Sequence, residues 1–156
     1  MRKIFSMFIL YVFIILNTSA SDHDIYTINI KDDNPKNILF VGNSYLYYND
    51  SLHNHFKRIV EEKYPDYDGG SSVKSATIGG SRLKHHNMDH LLGSKTISTV
   101  DKFDLVILQG GSGESLSKTD REEFFKTAKT HTDKIKSSGA DAAFYMIHAY
   151  VKPHKN

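Results

Sequence analysis

Cysteine is absent from the 156 residues. That removes disulfides, thiolate metal sites and cysteine nucleophiles together, and an exported protein of this size can fold without disulfide support. An excess of charge of one sign is also lacking. Removing Met1–Ala20 takes away two basic and no acidic residues, leaving 18 of each sign, so the remaining domain is near neutral. No basic patch with interleaved aromatics occurs, which argues against a nucleic-acid partner. There is no internal repeat, no low-complexity segment, no Walker lysine spacing and no GxGxxG.

Long apolar runs are equally scarce, with one exception at the start. Arg2 and Lys3 precede the almost wholly apolar Ile4–Leu16, and Thr18-Ser19-Ala20 offers small residues for cleavage. This is the layout of a secretory signal peptide over 1–20, and the apolar run is short for a membrane span. A retained N-terminal anchor is the competing reading. Removal of the signal predicts a secreted or periplasmic protein with no stable membrane span. A polar lead-in over 21–36 comes before the domain itself, 37–156.

The domain alternates strand and helix signals. Strands are predicted at Asn37–Val41, Val73–Ile78, Phe103–Leu108 and Ala142–Ile147. Helices are predicted at Ser51–Lys63, closed by Tyr64-Pro65, and at Leu83–Leu92, stopped by Gly93. A third opens with a capping box of Thr119 and Glu122 and runs through Ser137, with Phe124, Phe125, Ala128 and Ile135 on its apolar side and Gly139 ending it. Asp66–Ser72 reads as a loop. Alternation of this kind implies a parallel sheet with right-handed crossovers.

Three strands run into glycine-containing turns: Gly42-Asn43-Ser44, Gly79-Gly80-Ser81 and Gln109–Gly113. In a parallel sheet these turns share one edge, where ligands bind in open α/β folds. A serine hydroxyl there, close to glycine-exposed N–H groups, is where a nucleophile and its oxyanion hole would sit. Turn geometry alone accounts for the same residues in the plainer reading.

Other side chains carry weaker signals. His86 and His90 stand four apart on the predicted helix, beside His85 and Asp89, a spacing that can hold a metal. The HExxH glutamate and a third ligand are missing, so a solvated polar face is expected instead. His53 and His55 read as surface residues. Tyr45, Tyr47 and Tyr48 either wall a pocket beside the serine or pack over the sheet edge, and Arg82 is a surface arginine or an anion contact.

Gly42-Asn43-Ser44-Tyr45 after a strand resembles the first block of the SGNH, or GDSL-like, hydrolases. Thr77–Ser81 is similar to the second block, and Asp104–Gln109 to the strand leading into the third; the resemblance covers roughly Asn37 to Tyr150. It implies a flavodoxin-like three-layer α/β/α sandwich hydrolysing esters, acyl-ester or carbohydrate deacetylase in type, with no cofactor. Ser44 would be the nucleophile, and Gly80 (or Gly79) an oxyanion N–H. Gln109 is a possible oxyanion donor where the family has asparagine, a position occupied here by Gly111. The family's Asp-x-x-His base has no counterpart. His148 and His154 lack an aspartate three residues before them, so the base histidine is not found and a C-terminally shortened member is expected, its last strand and helix missing. The alternatives are an inactive SGNH-like domain that binds a carbohydrate or acyl ligand, and a non-functional remnant.

Overall fold

Side chains of the first strand fill both faces of a sheet. The computed structural model describes residues 34–148. The predicted signal peptide, most of the lead-in, Tyr150 and His154 lie outside them. Strand β1, Ile38–Gly42, is buried at every position, as a parallel strand covered on both sides must be. Leu39 and Val41 point into one core with Val106 and Leu108, and Ile38 and Phe40 into another with Val73.

β1 pairs in parallel with β2, Val73–Thr77, and with β3, Leu105–Leu108; β3 pairs in parallel with β4, Asp141–Phe144. The sheet order is β2-β1-β3-β4. Helices cover both faces. Helix α2, Leu52–Lys63, brings Leu52 and Phe56 to the Ile38/Phe40 core. The opposite core takes Met88 and Leu91 from α4, Met88–Leu91, and Ala128 and Ile135 from α5, Lys118–Ser137. The domain is therefore α/β with an all-parallel sheet between helical layers, flavodoxin-like in strand order and layering. No helix among the described residues is long and apolar enough to cross a membrane.

Several elements differ from the sequence expectation, each for a local reason. Ser44–Tyr47 forms a helical turn, α1, capped by Asn43. Gly69–Ser72 forms another, α3, capped by Asp68. The helix expected over Leu83–Leu92 divides into a 3-10 turn, Leu83–His85, and α4. His86 between them is extended, and the Asn87 side chain accepts from His90 N–H, so a short polar side chain restarts the helix. Helix α5 is capped by Ser117, whose Oγ accepts from Asp120 N–H at 3.0 Å, and not by Thr119. Its inward stripe is Phe124, Ala128, His131 and Ile135, at 4-3-4 spacing, which leaves Phe125 outside it and 66% exposed. Strands β2, β3 and β4 are all shorter than predicted.

Candidate functional site

Asn43 ties together the turns that follow β1, β2 and β3. It is 4% exposed. Its backbone N–H donates to Gln109 Oε1 at 2.9 Å, its Nδ2 donates to the Ser81 carbonyl at 3.0 Å, and its Oδ1 accepts from Tyr45 N–H at 3.1 Å. Ser44, next in the chain, opens α1 and is partly exposed at the same edge.

The close approach of these turns depends on glycine. A Cβ on Gly42 would stand 2.6 Å from Gln109 Oε1 and 2.8 Å from Leu46 Cδ1. One on Gly111 would stand 2.8 Å from the Ser81 carbonyl oxygen, so the third turn lies directly on the second. The buried Glu114 carboxylate fastens the same pair of turns, accepting from Leu83 N–H at 3.1 Å and from Gly111 N–H.

The two glycines of the second turn are not equivalent. Gly80 has φ +66°, and nothing lies within 4 Å of where its Cβ would be. Gly79 lies under the Tyr47 hydroxyl, 3.1 Å from the Cβ position. Gly80 is thus the one that faces open space. Both ends of the Gln109 amide are engaged, Oε1 by Asn43 and Nε2 as a donor to the Gly110 carbonyl.

Histidine placement departs from the sequence reading. His86 is buried: its Nε2 lies 3.1 Å from Ser81 Oγ, which also reaches the Gly42 carbonyl. Burial, then the neighbouring His131 and His85, push its pKa down. His90 lies within α4 and is exposed, so the two do not share a helix face. Among the described residues no group of three or more His, Asp or Glu side chains could hold a metal ion. His131, in the α5 stripe, is also buried, with Nε2 3.2 Å from the Leu83 carbonyl. The only hint of either burial was the apolar company each keeps. His53 is partly buried against Phe40, ring centroids 6.5 Å apart, while His55 is exposed.

His148, past the end of β4, sets its ring edge-on to Tyr45 at 5.5 Å, which brings an imidazole to the serine's turn. Tyr48 is 66% exposed, its ring tilted against that of Tyr47 with centroids 5.5 Å apart. Arg82 is committed to α5 through Asp120 and Glu123, with Lys84 on Glu123 beside it. The α1–α2 connection, close to the serine, has three consecutive non-glycine residues with positive φ: Asn49, Asp50 and Ser51. Such backbone is costly and is held by its surroundings; here His55 Nε2 bonds the Asn49 carbonyl at 2.7 Å and Arg58 pairs with Asp50 at 2.7 Å.

No protein-family model, curated protein or solved structure matches this chain.

Proposed function

We propose that this chain is an exported serine ester hydrolase of the SGNH type, acting through an acyl-enzyme on Ser44. The observation that carries the reading is the pair of hydrogen bonds from Asn43, N–H to Gln109 Oε1 and Nδ2 to the Ser81 carbonyl, which hold the Ser44 turn against the Gln109 and Gly80 turns. In the reaction, Ser44 Oγ bonds to the ester carbonyl carbon, and its proton goes to the departing alcohol as the C–O bond breaks. Water then cleaves the acyl–Oγ bond and releases the acid. The N–H groups of Ser44 and Gly80 hold the oxyanion. Gln109 acts mainly as the post for Asn43, since its Nε2 meets an oxyanion only on leaving the Gly110 carbonyl.

Neither histidine near these turns belongs to an Asp-x-x-His pair. His86 is spent on Ser81, and His148, though beside Tyr45, has Tyr145 where the family's aspartate would be. The test is labelling by a fluorophosphonate probe together with hydrolysis of 4-nitrophenyl acetate. A single adduct on the peptide carrying Ser44, lost along with hydrolysis in Ser44→Ala, is the expected result. Neither labelling nor turnover, with saturable ligand binding that survives Ser44→Ala, would replace the enzyme by a binding domain.

A further inference from the structure

The second glycine turn is held in place through one residue, Ser81. Its backbone N–H donates to the Ile78 carbonyl at 3.1 Å, which closes residues 78–81 into a tight turn with Gly80 at the third position, φ +66°. The Gly80 N–H donates to none of the described residues, so it is left for a ligand. The Ser81 carbonyl accepts from Asn43 Nδ2 at 3.0 Å. The buried Ser81 hydroxyl lies 3.1 Å from His86 Nε2 and 3.5 Å from the Gly42 carbonyl. Of these three ties only the last includes a group that titrates near neutral pH.

His86 is itself built into the fold. Its backbone N–H donates to the Leu83 carbonyl at 3.2 Å, and His131 Nε2, from α5, lies 3.2 Å from the same oxygen. The Leu83 N–H donates to the buried Glu114 carboxylate. A chain of contacts thus runs from α5 through Leu83, His86 and Ser81 to the Asn43 turn. The titratable groups acting on the His86 ring are His131, also buried, and His85 of the 3-10 turn, with no carboxylate among them. From α4, Met88 and Leu91 turn into the core, while Asp89 is paired with Lys134. Burial is the leading influence on the ring and favours its neutral form; the Gly42 carbonyl alone favours the charged one. A proton on His86 therefore places a charge among apolar groups and other imidazoles, which drives the ring towards water and away from Ser81.

We infer that His86 is a positioning residue for the candidate site: neutral, it holds Ser81 and with it the Gly80 N–H in place for the oxyanion, and protonated it lets the second turn go. The inference rests on the ester-hydrolase reading of Ser44 and Gly80. Removing an oxyanion donor outright costs about 100- to 1000-fold in rate, so displacing one costs about tenfold or more.

Two variants of the full chain test it. Ser81→Ala deletes the hydroxyl through which His86 acts. His86→Gln keeps a hydrogen-bonding group for that hydroxyl but does not titrate. Circular dichroism verifies that each folds, and Ser81→Ala, which removes one oxygen, keeps the test open if His86→Gln does not. With 4-nitrophenyl acetate at about pH 8, Ser81→Ala is expected to lower kcat about tenfold or more while KM stays within about threefold of the parent. His86→Gln should keep both within about threefold. An unchanged kcat in Ser81→Ala, or an equal loss in His86→Gln, overturns the inference while the esterase stands. A second readout needs no turnover. In NMR spectra taken between about pH 8 and pH 5, the Gly80 N–H and the Asn43 side-chain amide should follow the titration of the His86 ring. In Ser81→Ala the ring should still titrate while both signals stand still. Signals that do not move in the parent, or that move equally in Ser81→Ala, overturn the inference. If the parent turns over no ester, the Ser44 reading fails, and the NMR titration alone decides the role of His86.

Discussion

The backbone N–H of Asn43 donates to the side-chain Oε1 of Gln109, 66 residues away in sequence, at 2.9 Å and out of contact with water. This bond joins the turns after two adjacent strands. Replacing Gln109 by leucine leaves a buried N–H without a partner, which costs about 1–3 kcal/mol. Urea denaturation of Gln109→Leu is expected to show that loss, together with a large drop in any esterase rate. A variant as stable as the parent would mean that the Asn43 amide finds another acceptor.

Gly42 makes room for that bond. Gly42→Ala places a methyl group 2.6 Å from Gln109 Oε1 and 2.8 Å from Leu46 Cδ1, and both neighbours are held in the core. Overpacking of this kind costs about 1–3 kcal/mol. The melting temperature should fall accordingly, whereas Gly80→Ala meets no steric clash and is penalised only through its positive φ.

The helix α5 cap gives a clean pair of measurements. Ser117→Ala removes the acceptor for Asp120 N–H and should cost about 1 kcal/mol. Thr119→Ala, two residues on and inside the helix, should stay within about 0.5 kcal/mol of the parent. Equal effects would contradict the observed cap.

Acid should destabilise the fold through His86 and His131. Burial is the leading cause for both, and holds their imidazoles below the ordinary histidine pKa. The unfolded chain then binds protons more readily than the folded one. The stability they confer is whole above the unfolded value of about 6.5 and is lost as pH falls through their lowered folded values. Urea midpoints should drop between about pH 7.5 and pH 5.5. His131→Gln, which retains a donor for the Leu83 carbonyl, should flatten that dependence. An unchanged slope would remove His131 from the account.

Local pattern made much of this architecture readable in advance. The unbroken apolar run from Ile38 to Val41, entering the Gly42-Asn43 turn, reads as a buried strand, and Pro65 and Gly139 end helices by backbone sterics that need no tertiary partner. The Leu83–Leu92 segment misled because its apolar spacing suits a helix, whereas the Asn87 side chain competes for a backbone N–H and restarts the chain. The capping residue of α5 was misassigned by two positions because Ser117 and Thr119 are chemically alike as caps, and only the direction of chain entry separates them.

What the sequence by itself determined is the alternation of elements, the parallel sheet that follows from it, and the presence of three glycine turns at one edge. Those features depend on neighbours a few residues apart. Tertiary structure alone decided that Asn43 would bond both Ser81 and Gln109, that Gly80 rather than Gly79 would face open space, that His86 and His131 would be buried, and that Phe125 and Phe144 would flank a groove. Each of these depends on which distant group fills a given volume, and close packing settles that only once the sheet has brought the turns together.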